Sequence, residues 1–100
     1  MARVDHDALL AAASEALGGT VDSAGVADLV FDKGSAVIAA SANDLKDAFK
    51  RMKKVEGYGW VVINREDLFA ANPLSIGSKV GILDARGKVL KNADVSRKKV

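Results

Sequence analysis

One hundred residues, 49% of them apolar and 28% charged, suffice for one domain with one core. The absence of cysteine excludes a disulfide framework, a thiolate nucleophile and a thiolate-held metal, so no oxidising compartment is needed and a cytoplasmic setting is expected. No apolar run approaches the ~20 residues of a membrane-spanning helix; the stretch Ala8 to Ala13, bracketed by Asp5, Asp7 and Glu15, is too short for a signal-peptide core, and a soluble, unprocessed chain without a membrane partner is expected.

The net charge of +2 is unevenly spread. Residues 1–45 hold Arg3 and Lys33 against seven carboxylates, a balance of −5, whereas residues 46–100 hold thirteen Lys or Arg against six carboxylates, a balance of +7. Such asymmetry suits a polyanion, an acidic protein or a second copy of the chain.

The first predicted element is a helix. Asp5 can cap it, Val4 and Leu9 have the spacing of a hydrophobic staple, and Leu10, Ala13 and Leu17 recur at three- and four-residue intervals. Gly18 and Gly19 end it. Thr20 to Gly25 gives no pattern. Val26 to Phe31 and Ser35 to Ala40 read as strands around Asp32-Lys33-Gly34, and their apolar residues on both faces predict burial inside a sheet.

Ser41 caps a second helix, with Asp44 at the capping-box position. Leu45, Ala48, Phe49, Met52 and Val55 fall on one side of it and Lys46, Lys50, Lys53 and Lys54 on the other. It ends near Gly57, and the apolar run Trp60 to Ile63 suits a strand covered on both faces. Strand, helix and strand over residues 35–63 form a βαβ unit with parallel strands. Asn64 is placed to cap a short helix with apolar members Leu68 and Phe69, ending by Asn72 because Pro73 disfavours a helical residue before it. Lys79 to Leu90 reads as a hairpin whose turn, Asp84-Ala85-Arg86-Gly87, closes on a left-handed glycine. Residues 96–100 form a basic tail expected to fray from a domain spanning 1–95.

The residues "KDAFKRMKKVEGYGW" at 46–60 admit two readings. In one, Lys46, Lys50, Lys53 and Lys54 contact phosphates, aided by Arg97, Lys98 and Lys99, with Tyr58 and Trp60 as stacking groups. In the other, the lysines are a solvated helix face and Trp60 opens a buried strand. The second is preferred, because lysine lacks the guanidinium fork that reads bases. Tyr58, between two glycines, suits either an interface anchor or a ring laid over the sheet edge.

His6 is the only histidine, and it stands at a helix start where Asp5 and Asp7 cannot join it around one ion, so neither a metal site nor a Ser-His-Asp arrangement is expected. Glu66 and Asp67 point apart on a helix and suit its first turn. Neither Gly18-Gly19-Thr20 nor Gly77-Ser78-Lys79 has phosphate-loop spacing. No catalytic, cofactor-binding or metal-binding residue is assigned.

The segment "VVINREDLFAANPLSIGSKVGILDARGKVLK", residues 61–91, resembles the strand, short helix and hairpin order of the swapped-hairpin transcription factors and antitoxins, which implies DNA-binding homodimers. Asn64 stands where that family usually has proline, and Gly77-Ser78 where it has Gly-Asp; membership is not assigned.

The expected fold is one α/β or α+β domain of order α-β-β-α-β-α-β-β, with about five strands in a mixed sheet. The expected function is a non-catalytic binding or assembly module whose partner is a protein, including a second copy of itself. The alternative is a nucleic-acid-binding regulator using the basic helix 46–54 and the C-terminal tail. The candidate interaction residues are Lys46, Lys50, Lys53, Lys54, Tyr58, Arg97, Lys98 and Lys99.

Overall fold

The computed structural model of the chain describes residues 5–21, 27–32, 34–52, 58–76 and 80–92. Its elements follow the predicted order. Helix α1 spans His6–Leu17, strands β1, β2 and β3 span Thr20–Val21, Leu29–Phe31 and Gly34–Ala39, and helix α2 spans Ala42–Met52. Strand β4 spans Gly59–Ile63, a 3₁₀ turn (Arg65–Asp67) leads into helix α3 (Leu68–Ser75), and β5 (Gly81–Leu83) and β6 (Val89–Lys91) follow. The two-residue β1 lies in the stretch that carried no pattern, and it brings the strand count to six.

The ends of α1 are set by side-chain chemistry. The Asp5 carboxylate accepts from the Ala8 amide at 2.9 Å, satisfying a donor that has no partner within the helix. Gly18, with φ at 66°, takes the left-handed position that closes the last turn. Ser41 Oγ accepts from the Asp44 amide at 3.3 Å and caps α2 in the same way.

The strands lie side by side in chain order, β1 to β6. Strands β3 and β4 are parallel, with Ser35 opposite Gly59 and Ala39 opposite Ile63, as the βαβ reading requires. Strands β4 and β5 are parallel too, so residues 59–83 form a second βαβ unit that includes most of the segment resembling the swapped-hairpin family. Both crossovers step the same way along the sheet, and one hand therefore puts both helices on one face. Leu45, Ala48, Phe49 and Met52 of α2 and Ala71 of α3 pack there with Val37, Ala39, Val61, Ile63 and Ile82. The period-two alternation of strands sends Ala36, Ile38, Trp60 and Val62 to the other face, where Leu9 and Ala13 of α1 cover them. The result is three layers, with α1 on one side of the sheet and α2 and α3 on the other.

Three expectations are corrected. Strand β2 is not buried on both faces: Leu29 is enclosed beneath α1, but Val30 is 41% exposed, because α2 follows the β3–β4 crossover and leaves β2 uncovered. Asn64 occupies the position before the 3₁₀ turn without capping it. Its side-chain amide instead donates to the Ala40 carbonyl at 3.0 Å, tying together the chain just beyond β3 and β4. Helix α3 runs through Pro73 to Ser75. Proline removes one intrahelical donor there, but it sits on the exposed side of the helix, where water can satisfy the carbonyl left over.

The β5–β6 turn matches its reading. The Gly87 amide donates to the Asp84 carbonyl at 3.0 Å, and Gly87 has a φ of 78°. Asp84 Oδ1 accepts from the amides of Arg86 and Lys88, each at 2.9 Å, so this buried carboxylate organises the turn.

Asp28 links the layers. Just before β2, its Oδ2 accepts from the Ile38 amide at 2.8 Å, replacing the strand carbonyl that β2 is too short to supply. Its Oδ1 lies 3.3 Å from Arg51 Nη2 at the end of α2, and His6 Nε2 of α1 stands 4.0 Å from Oδ2. Asp28→Ala strands the Ile38 amide and frees Arg51, and a loss of about 1–3 kcal/mol is expected in urea unfolding. Asp28→Asn, which keeps an acceptor, should lose less.

Candidate functional site

The contact between Arg51 and Asp28 fixes how α2 is rotated. Asp28 lies on the β2 side of the sheet, so the flank of α2 carrying Arg51 faces β2. At 100° per residue exposed Lys46 falls on the opposite flank, toward α3, while exposed Lys50 and Asp47 stand side by side on the crest between the flanks. Lys53 and Lys54 lie outside the described residues, as do Arg97, Lys98 and Lys99.

The aromatic candidates belong to the other side. Trp60 is only 5% exposed and packs in the α1 layer, its ring centroid 6.4 Å from that of Phe31. Tyr58, two residues earlier, shares that face by strand alternation and is 45% exposed. Its carbonyl accepts from the Ser35 amide at 3.1 Å, which holds it at the sheet margin. The described lysines of α2 and these two aromatics thus stand on opposite sides of a six-stranded sheet, and among the described residues they do not converge on one surface.

A different surface stands out on α3. Ala71 and Ser75 are buried against the sheet, and small residues there bring the helix close to it. Phe69 and Ile76 turn the opposite way and are 93% and 71% exposed. Pro73, also exposed, lies between them at helical spacing, completing an apolar ridge on a helix without a charged residue. Helices α2 and α3 pack side by side, and the flank of α2 toward α3 carries Lys46. The sequence marks Leu68 and Phe69 as the apolar members of this helix without saying which of them faces the sheet. The available signal was that Ala71 and Ser75, four apart, are the small positions on a helix that must approach a sheet closely, which leaves the large residues outside.

Ser75 and Asp28 have structural roles. Ser75 Oγ donates to the Asn72 carbonyl at 2.8 Å and accepts from Lys91 Nζ of β6, a cation placed at the negative end of α3. The Asp28 carboxylate is engaged by the Ile38 amide and Arg51, and at 4.0 Å from His6 Nε2 it is beyond the hydrogen-bond distance at which a carboxylate orients an imidazole. Among the described residues no three His, Cys, Asp or Glu are placed to hold a metal ion, and no helix is long and apolar enough to cross a membrane. A cleft of about 260 Å³ on the α1 side, between Leu17, Phe31, Leu83 and Val89, includes one carboxylate, Asp32. One carboxylate among apolar walls is no acid–base or nucleophilic constellation.

Compared with protein-family models, curated proteins and solved structures, the chain matches none.

Proposed function

We propose that this protein is a non-catalytic binding or assembly module of the cytoplasm, acting through protein–protein contacts, with the outer face of α3 as its docking surface. The observation that carries this reading is the exposure of Phe69 and Ile76, at 93% and 71%, on one ridge. Burying each side chain in a partner is worth about 1.5–3 kcal/mol, and aromatic anchors of this kind supply a large share of interface energy. The charged residues of α2 nearby, Lys46, Asp47 and Lys50, are exposed and would orient a partner rather than hold it, since exposed ion pairs are individually worth about 0–1 kcal/mol.

The nucleic-acid reading is less favoured, because Tyr58 and Trp60 lie across the sheet from the lysines of α2. A photoreactive residue at position 69, activated in cells producing the protein, distinguishes the two. Adducts with protein are expected. Adducts with nucleic acid alone, or none while the variant remains folded, would overturn the docking assignment.

A further inference from the structure

We infer that the cleft beside the C-terminal end of α1 is a binding site for a small organic ammonium, an amine carried on an aromatic body. It lies on the face of the sheet opposite the α3 ridge, so it stands apart from the docking reading above. The cleft encloses about 260 Å³. A cavity of about 150 Å³ takes a benzene ring, and the space left over suits a short chain ending in the charged group. Leu17, Phe31, Leu83 and Val89 make the walls apolar, and the Phe31 ring is backed by that of Trp60, with centroids 6.4 Å apart. Broad walls of this kind favour a flat ring over the unbranched chain of a lysine.

Three features set the sign of the ligand. Among the described residues that line the cleft, Asp32 alone is charged, and it is exposed at the mouth. The last turn of α1, which contributes Ala16 and Leu17 to the lining, is the negative end of a helix dipole and holds no basic residue. Both amides of its glycine cap, from Gly18 and Gly19, donate to the Ser14 carbonyl, so neither meets the carbonyls nearest the cleft. An aromatic wall next to the Asp32 carboxylate adds attraction for a cation. Of the neighbouring charges, Glu15 adjoins Ala16 with the same sign as Asp32, while Arg86 and Lys88, on either side of Gly87, are exposed and do not line the cleft. A bound ammonium touches Asp32 rather than these two, whose fields water screens.

The test is a titration of the isotope-labelled full chain with phenethylammonium chloride, followed by its amide resonances. Saturable shifts at Leu17, Asp32, Gly87 and Val89 are expected, with a Kd in the millimolar range ordinary for so small a ligand. Phenylethanol, the neutral counterpart, should bind about fivefold more weakly, as should an acetylated lysine amide, which carries the ammonium on an unbranched chain. Phenylacetate should bind more weakly still. Asp32→Asn, an exchange that a turn tolerates and that circular dichroism checks, should weaken the ammonium about fivefold and leave the alcohol unchanged. Shifts that never saturate, or an alcohol that binds as tightly as the ammonium, would overturn the inference. A lysine amide that binds as tightly as phenethylammonium would also overturn it, and would mark the cleft as a reader of a partner's lysine. The α3 ridge takes no part in this titration, so the cross-linking from position 69 decides the docking reading separately.

Discussion

Gly34→Ala is expected to destabilise the protein by about 3–5 kcal/mol, a large part of the roughly 5–15 kcal/mol that holds a domain of this size together. Gly34 opens β3 with φ at 132°, a conformation that side chains with a Cβ rarely adopt. A Cβ built there would lie 2.2 Å from the Tyr58 carbonyl oxygen, whose position is fixed because it accepts from the neighbouring Ser35 amide. The backbone has no flexible side-chain end to move aside. Relief must come from pulling β4 away from β3 at the first rungs of their parallel ladder, where Ser35 faces Gly59. Urea unfolding followed by Trp60 fluorescence would measure the change. A loss below about 1 kcal/mol, the ordinary scale of a surface substitution, would show that this close approach is absent.

Leu45→Ala is expected to lower stability by about 2–5 kcal/mol. Leu45 is fully buried where α2 meets the sheet, among Val37, Val61 and Ile63, and truncation leaves a cavity that rigid strands on one side cannot fill. Its immediate neighbour gives the contrast. Lys46→Ala, and Lys50→Ala one turn further on, should each change stability by about 0.5 kcal/mol or less, because both side chains are exposed. If the lysine variants instead unfolded the protein while Leu45→Ala did not, α2 would be rotated and the surface beside α3 would carry different residues.

Much of this architecture was legible in the residues. Asp5, Ser41 and Gly18 mark helix ends through side-chain or backbone chemistry that acts within a few residues, and the Asp84–Gly87 turn is equally local. The amphipathic pattern of α2 was readable because lysines and large apolar residues separate cleanly around its circumference. The second parallel crossover was not readable, since nothing local states which neighbour β5 will pair with. Residues 20 and 21 were missed as a strand because a two-residue edge owes its order to β2 rather than to its own composition.

The candidate site was harder to read, for a physical reason. Sequence patterns identify charged faces well, and they drew attention to the lysines. Phe69 looks like a core residue in any window, and only the closeness of α3 to the sheet, enforced at Ala71 and Ser75, turns it outward. Trp60 was correctly expected to be buried, but which face of the sheet it occupies depends on strand alternation together with the side taken by the crossovers. That combination separates it, and Tyr58 with it, from the described lysines of α2.

The most direct measurement is the fluorescence of a single indole placed on the ridge, in the double variant Trp60→Phe and Phe69→Trp. In dilute solution the expected emission is that of a water-exposed indole, readily quenched by acrylamide, and it should shift to the blue with protection from quencher when a partner copy or another protein docks. A blue-shifted, protected indole in the dilute monomer would mean that the chain covers its own ridge, and the docking face proposed for α3 would not exist.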